Sequence, residues 1–284
     1  MNLSNLKKII ALSLKEDIGF GDITTSSLVD ARAKIQADII VKSEGVVAGL
    51  IVAKEVFRQV NPRLTFRPLA KDGQRVKANT TIAHVYGAAA SILTAERVAL
   101  NMLSMLSGIA TKTQSFVSLI KPYKTQILDT RKTAPMLREL QRYAVRCGGG
   151  FNHRFDLSTM AMIKDNHRLL AVGKMTLIEA VEVIKKKHPH KIVELEVDHV
   201  DELKEALKSK AEIILLDNMT PAQIKNAIKL RHQSKSKVLL EASGGINLKN
   251  IKSYAATGVD RISVGALTHT IEALDISLDI AYHA

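Results

Sequence analysis

Apolar and polar positions follow two different rhythms on either side of residue 110. Before it, IQADIIVKSEG and VKANTTIAHVYG alternate apolar with polar residues, and Gly45 and Lys71-Asp72-Gly73 punctuate them, a pattern that predicts antiparallel strands joined by turns. The first residues, MNLSNLKKIIALSLKEDIG, place Leu3, Leu6, Ile9, Ile10 and Leu14 at helical spacing among lysines and acids, which predicts an amphipathic helix. A longer helical segment, roughly Ser91 to Leu106, closes this part, so residues 1–110 read as an α+β domain. The C-terminal segment 270–284, read as a helix, is assigned to the same domain.

From residue 111 to 269 short apolar runs alternate with amphipathic helices. TQILDT, AMIKD, IVELEV, EIILLD, KVLLEAS and DRISVG are the strand candidates. Between them, Leu177, Ala180, Val181 and Ile184 share one helical face, as do Val200, Leu203, Ala206 and Leu207, and Thr220-Pro221 supplies an N-cap and a first-turn proline. Repeated β-then-α units require parallel strands. Six strands fall short of a full barrel of eight, yet polar residues recur where each strand ends: Thr130-Arg131-Lys132, Lys164-Asp165, Glu196, Asp217-Asn218, Ser243-Gly244-Gly245 and Ser263-Val264-Gly265. In a (β/α) barrel these ends converge on one face, where active sites of that architecture lie, so six separate polar signals predict one site.

The chain has 284 residues, 46% hydrophobic and 24% charged, which predicts a globular protein ordered nearly throughout. No stretch reads as the roughly 20 apolar residues of a membrane span or as a secretory leader, so a cytoplasmic location is expected. The one cysteine, Cys147, cannot form an internal disulfide and is expected to be a buried small hydrophobe. The formal charge is +13, and eight of the basic residues fall between Lys121 and Arg154 against two acids there, Asp129 and Glu139. That concentration lies within an ordered-looking region and suits small polyanions.

The candidate chemistry follows from where these residues stand. Arg131 and Lys132 come directly after a strand, and Thr133 with Pro135 is expected to start a helix carrying Leu137, Leu140 and Ala144 inward, so an anion would meet both cations and the helix N-terminus. Cys147-Gly148-Gly149-Gly150 ends that helix with more glycines than a cap needs, which implies a bend or a close backbone approach ahead of His153 and Arg154. Arg154 offers the planar fork that matches a carboxylate. Lys164 lies within the apolar run AMIKDNH, where an inward ammonium requires a partner. Glu194 and Glu196 share one strand face and Asp217 ends the next strand, giving carboxylates for sugar hydroxyls or a Mg²⁺-bound phosphate. The Ser243-Gly244-Gly245 and Ser263-Val264-Gly265 turns follow the last two strands, where barrels commonly bind phosphate.

EDIGFGDITT, AERVALNMLSMLSGIAT, DTRKTAPMLRELQRYAVRCGGGFNHR and MIKDNH, continued by ELEV, LLDNM and EASGGI, closely resemble the signature segments of the quinolinate phosphoribosyltransferase family over essentially the whole chain. The resemblance implies an N-terminal α+β sandwich domain and an open (β/α) barrel. It implies transfer of the phosphoribosyl group of phosphoribosyl pyrophosphate to quinolinate, with Mg²⁺ and decarboxylation, giving nicotinate mononucleotide for NAD synthesis. It further implies a homodimer or an assembly of dimers with shared active sites. Arg131, His153, Arg154 and Lys164 would contact quinolinate, with Arg97 supplied by the partner subunit; Lys132 would lie near the phosphate or pyrophosphate groups, and Thr130 would be a further substrate-binding residue. Glu196 and Asp217 would hold ribose and metal, with the choice between Glu194 and Glu196 left to the spacing from Asp217, which favours Glu196. Ser243, Gly244, Gly245, Ser263, Val264 and Gly265 would hold the 5-phosphate, and Lys132, Lys164, Glu196 and Asp217 would carry the chemistry. Two positions depart from the family's usual glycine: Met136, expected inside a helix where losing glycine helps, and Asp156, whose charge is expected to weaken anion binding slightly.

A related phosphoribosyltransferase using another base is the nearest alternative, but a mono-acid substrate would leave one cation of this set unpaired. Nucleic-acid binding is disfavoured because the basic residues interleave with strand ends and aromatics total 4%. His188-Pro189-His190 follows three lysines and reads as a solvated loop, with no spacing of a closed zinc site.

Overall fold

The computed structural model describes residues 3–171 and 175–280. In chain order the first elements are α1 (Leu3–Ile18), α2 (Ile23–Leu28), β1 (Lys34–Val41), β2 (Gly45–Val46), α3 (Leu50–Val60), β3 (Thr65–Pro68), β4 (Arg75–Val76), β5 (Thr80–Ala88) and α4 (Ala89–Leu119). There follow β6 (Gln126–Leu128), α5 (Arg138–Cys147), β7 (Ala161–Ile163), α6 (Asp165–Leu169), α7 (Leu177–Lys187), β8 (Val193–Val197), α8 (Val200–Ala206) and β9 (Ile213–Asp217). The last are α9 (Pro221–Gln233), β10 (Leu239–Ser243), α10 (Ile251–Ala255), β11 (Arg261–Ser263), α11 (Ala266–His269) and β12 (Ile276–Ile280). They form two compact units.

One unit comprises the described residues up to Gln114, together with Thr133–Gly149 and the segment from Leu267 onward. Its sheet has the order β12-β1-β5-β3, and every pairing is antiparallel. Along β1 the alternation predicted from sequence is explicit: Ala37, Ile39 and Val41 are buried while Asp38 and Ile40 between them are half-exposed. The expected C-terminal helix is a strand instead. Ile276, Leu278 and Ile280 alternate with Ser277 and Asp279, and β12 pairs with β1 from Ala37↔Ile280 to Val41↔Ile276; residues 281–284 lie outside the described set. The long helix runs to Leu119, well beyond the expected end, and buries Ile92, Ala95, Ala99, Leu103, Leu106 and Ala110, a stripe at helical spacing. By length and composition α4 is apolar enough to cross a membrane, contrary to the expectation from sequence, but 61% of its apolar window is buried, as in a core helix.

The segment 133–149 belongs to this unit rather than to the barrel. Its helix starts at Arg138, not Thr133. Met136 has φ +65°, a left-handed conformation that a right-handed helix excludes. The favourable effect expected of a non-glycine at this position is therefore reversed, because only glycine adopts that backbone without strain. At the other end, a Cβ on Gly148 would lie 2.4 Å from the Ala110 carbonyl oxygen, and Gly149 has φ +86°, so close approach and a left-handed turn account for two of the three glycines. Tyr143 on α5 donates to Asp72 Oδ2 at 2.5 Å, while Asp72 Oδ1 accepts from the Gly49 and Leu50 amides at the start of α3. One carboxylate thus ties α5 to α3. Cys147 is half-buried; burial, with Asp72 nearby, pushes its thiol up to about 11, the state of an unreactive cysteine.

The other unit, Ser115–Lys132 with Gly150–Ala266, holds a six-stranded sheet of order β6-β11-β10-β9-β8-β7 in which all pairings are parallel. All six expected strands are present, and the order leaves β6 and β7 as the open edges of a barrel-like sheet. Thr176 and Thr220 cap α7 and α9 with capping boxes, Thr220 ahead of the predicted first-turn Pro221. Every residue of β8 is buried, including Glu194 and Glu196, whose carboxylates project from the face opposite Val193, Leu195 and Val197.

Candidate active site

The C-terminal strand ends of the barrel unit gather the predicted residues. Register places Ser243 opposite Asp217 and Ser263 opposite Leu128, so the turns that follow lie side by side. A cavity of about 610 Å³ opens at the other end of the sheet, lined by the strand starts Gln126, Leu239 and Arg261, and holds none of the expected site residues.

After β6, Asp129 is fully buried and organises the next segment: Oδ1 accepts from the His153 amide at 2.7 Å and Oδ2 from Asn152 Nδ2 at 2.5 Å. This brings Gly150–Arg154 alongside β6, where Phe151 bridges Leu128 in parallel. Thr130 Oγ1 accepts from the Lys132 amide at 3.1 Å, a local turn that leaves the Lys132 side chain exposed. Arg154 Nη1 donates to the Met160 carbonyl at 3.1 Å. Burial and then the Arg131 charge depress the Arg154 pKa, against opposing pulls from Glu194 and Asp156, so two guanidinium groups stand close enough to repel. Asp156 keeps its negative charge, and hydrogen bonds hold it in place. Its Oδ1 accepts from both amides and both hydroxyls of Ser158 and Thr159, and those hydrogen bonds hold its pKa far below the ordinary range.

Lys164 lies just past β7 at the N-cap position of α6, not within the strand as expected, and its side chain is 44% exposed. The partner anticipated for it is Glu196, whose Oε2 lies 2.6 Å from Nζ. Of the two glutamates on β8, Glu196 thus belongs to the strand-end site, whereas Glu194 turns toward His153. Asp217 completes this side: burial raises its pKa, Lys164 and Lys132 oppose the rise, and Asp198 and Asp165 add to it. Its Oδ2 accepts from Asn218 Nδ2 at 2.6 Å.

Asn218 has φ +53° and donates its amide to the Ser243 carbonyl at 2.9 Å. Gly244 lies so close that a Cβ there would stand 2.0 Å from Asn218 Oδ1, so the turn after β10 needs glycine to seat against the residue that holds Asp217. In the turn after β11 the Val264 amide donates to the Leu128 carbonyl at 2.9 Å, which commits it to the sheet and removes it from the set of phosphate donors expected there. Ser263 is buried and Gly265 half-buried beside it.

His153 is 5% exposed at its side chain, and its Nε2 faces the barrel interior, 3.1 Å from Glu194 Oε2 and 3.2 Å from Glu241 Oε1. Glu241 in turn lies 3.1 Å from Arg261 Nε. Arg97 belongs to the other unit, on α4, with its side chain 63% exposed. Sequence reasoning gave no site role to Asp129, Glu241 and Arg261, and named Asn218 only as a polar strand-end residue. The signal for Glu241 was present, since it stands two residues before Ser243 on one strand face.

Comparison with known proteins fits this geometry. Residues 22–107 match the model of the quinolinate phosphoribosyl transferase N-terminal domain, and residues 109–279 match that of its C-terminal domain. A nicotinate-nucleotide pyrophosphorylase [carboxylating] of Mycobacterium leprae is 42% identical over 276 residues, 95% of each chain. A mitochondrial quinolinate phosphoribosyltransferase [decarboxylating] of Nicotiana glauca is 37% identical, covering 97% of this chain and 82% of that one. The solved structure of the nicotinate-nucleotide pyrophosphorylase from Francisella tularensis superimposes with a TM-score of 0.92 at 42% identity, over 99% of this chain and 98% of that one. The chain belongs to the quinolinate phosphoribosyltransferase family.

Proposed function

We propose that this protein is a pentosyltransferase that moves the phosphoribosyl group of phosphoribosyl pyrophosphate onto the nitrogen of quinolinate and decarboxylates the adduct, releasing pyrophosphate, carbon dioxide and nicotinate mononucleotide for NAD synthesis. The observation that carries this reading is the division of one strand-end face into a half that holds the Arg131 and Arg154 cations and a half where Lys164 Nζ lies 2.6 Å from Glu196 Oε2 beside Asp217. The first half suits a dicarboxylate, because two substrate carboxylates relieve the repulsion between the guanidinium groups. Lys164 joins the halves.

As pyrophosphate departs, positive charge develops on the ribose and negative charge on the leaving group. Lys132, exposed on its turn, is suited to follow the leaving group, and the Glu196 and Asp217 carboxylates to hold the ribose hydroxyls. Holding quinolinate by its carboxylates aims the ring nitrogen at the sugar carbon, so positioning carries much of the rate. In the adduct the ring nitrogen is positive, and the electron pair of the breaking carbon–carboxylate bond flows toward it; a proton then takes the place of carbon dioxide. The donor set also fits Mg²⁺. Asp217 and Glu196 offer hard oxygens, and burial, the main cause of the raised Asp217 pKa, disfavours its ionised carboxylate there, a cost that a divalent cation would relieve. Bound there, directly or through water, the ion would neutralise charge on the pyrophosphate.

The same reading takes the protein as a cytoplasmic homodimer, or an assembly of such dimers, in which Arg97 completes the neighbour's site. Leu3, Leu12, Phe20, Ile23 and Leu28 on and between α1 and α2 are all exposed, Phe20 fully, which supports a second copy covering them. Turnover of quinolinate with phosphoribosyl pyrophosphate and Mg²⁺, with nicotinate as the parallel substrate, tests the activity. Sedimentation of the purified protein tests the assembly.

A further inference from the structure

The buried cluster of His153, Glu194, Glu241 and Arg261 lies beneath the strand-end site and takes no part in the chemistry above. Its members come from four elements of one unit: His153 from the segment after β6, Glu194 from β8, Glu241 from β10 and Arg261 from β11. Glu194 and Glu241 are wholly buried. Two carboxylates in such a place are strongly unfavourable unless something ties them. Arg261 answers one of them, at 3.1 Å from Glu241 Oε2, and the imidazole Nε2 lies within 3.2 Å of both.

The other ring nitrogen meets the backbone of the next residue. The Arg154 amide donates to Nδ1 of His153 at 2.7 Å. Burial opposes a charged ring, but the Glu194 and Glu241 carboxylates within 3.2 Å of Nε2 outweigh it and push the pKa up to about 9, whereas the amide contact asks Nδ1 to keep its lone pair. The amide distance is direct geometry and governs Nδ1. The two demands agree at Nε2, which carries a proton in either form.

We propose that Glu194 and Glu241 are positioning residues that anchor the Nε2–H of His153 from inside the barrel, so that Nδ1 grips the Arg154 backbone and sets the guanidinium that recognises a substrate carboxylate. The inference rests on the dicarboxylate reading of the pocket. It also separates two carboxylates one residue apart in role: Glu196 works at the surface of the site, and Glu194 works beneath it. The three side chains around Nε2 have ligand atoms within 4.8 Å of one another and could instead enclose a cation. Arg261 argues against that, since it already supplies Glu241 with positive charge.

Glu194→Gln and Glu241→Gln in the full-length protein, assayed for kcat and for the KM of each substrate, test the inference. The expected result is a rise of about tenfold or more in the quinolinate KM, with the KM for phosphoribosyl pyrophosphate within about twofold of the parent. A general loss of structure would move both together, so an equal rise in both, or an unchanged quinolinate KM in a folded variant, overturns the proposal. Nitrogen-15 spectra of the histidine rings in the unmodified protein, with His153 assigned by difference, give a reading that needs no variant to fold. Protonated Nε2 supports the proposal and a bare Nε2 overturns it. A stoichiometric metal ion in the purified protein that Glu241→Gln abolishes would also overturn it, in favour of a cation site. Failure of the unmodified protein to turn over quinolinate would instead strike the functional reading, a result distinct from any of these.

Discussion

Replacing Lys164 with methionine separates what this lysine does for the fold from what it does for substrate. The ammonium lies 2.6 Å from Glu196 Oε2; the lysine side chain is 44% exposed and the glutamate 6%. Because water reaches the lysine, the intact pair contributes only about 1 kcal/mol or less to stability. Removing the lysine is worse than losing that, since it leaves a nearly buried carboxylate without its partner; breaking a fully buried pair costs about 3–5 kcal/mol, and partial exposure should bring this to roughly 1–3. Adding Glu196→Gln removes the stranded charge and should return most of the loss. Catalysis should not return with it. A charge-assisted contact to a substrate carboxylate is worth about 2–4 kcal/mol, so kcat/KM for quinolinate should fall roughly 30- to 900-fold in Lys164→Met and stay low in the double variant. Denaturant unfolding and steady-state quinolinate consumption on the four proteins of the cycle provide the check. Near-parental kcat/KM in folded Lys164→Met, or recovery of turnover in the double variant, would refute the assignment of Lys164 to substrate.

Met136→Gly should stabilise the protein by about 0.5–1 kcal/mol, because relief of the left-handed strain exceeds the entropy lost with glycine; an unchanged or lower denaturation midpoint would contradict it. Asp217→Asn should abolish turnover yet raise the melting temperature at neutral pH. Burial raises the Asp217 pKa in the folded protein, so the ionised carboxylate opposes folding at neutral pH, and that penalty is relieved as pH falls through the folded pKa toward the unfolded value; equal melting temperatures at pH 7 would count against this. If Arg97 completes a neighbour's site, mixing Arg97→Ala with Lys164→Ala subunits should restore about a quarter of parental activity, from the one intact site in each mixed dimer among randomly reassorted pairs. No recovery after confirmed subunit exchange would place Arg97 outside the partner's site.

Much of the barrel unit was legible because each strand carries its own signal. A short apolar run, a polar residue at its end and a capped helix after it are local features, and Thr220-Pro221 or Glu196 keep their meaning wherever the chain leads. Pairings between distant residues were not legible in the same way. The ISLDI strand alternates as a strand should, yet its partner β1 lies more than 200 residues earlier, and alone it is too short to outweigh a helical reading. Thr133 and Pro135 look like a helix start, but the left-handed turn at Met136 defers the helix to Arg138, and backbone sign is not written in residue type. The candidate site divided along the same line. That Lys164 needs a carboxylate partner was inferred from charge alone and the structure supplies Glu196, whereas His153 turned inward to Glu194 and Glu241 because the curl of the sheet brings β8 and β10 to one interior layer.

The central claim is a pocket built for two carboxylates, and parallel turnover of quinolinate and nicotinate with phosphoribosyl pyrophosphate and Mg²⁺ tests it most directly. The account predicts nicotinate mononucleotide and carbon dioxide from quinolinate, and little or no product from nicotinate. Equal turnover of both, or turnover of nicotinate alone, would contradict it.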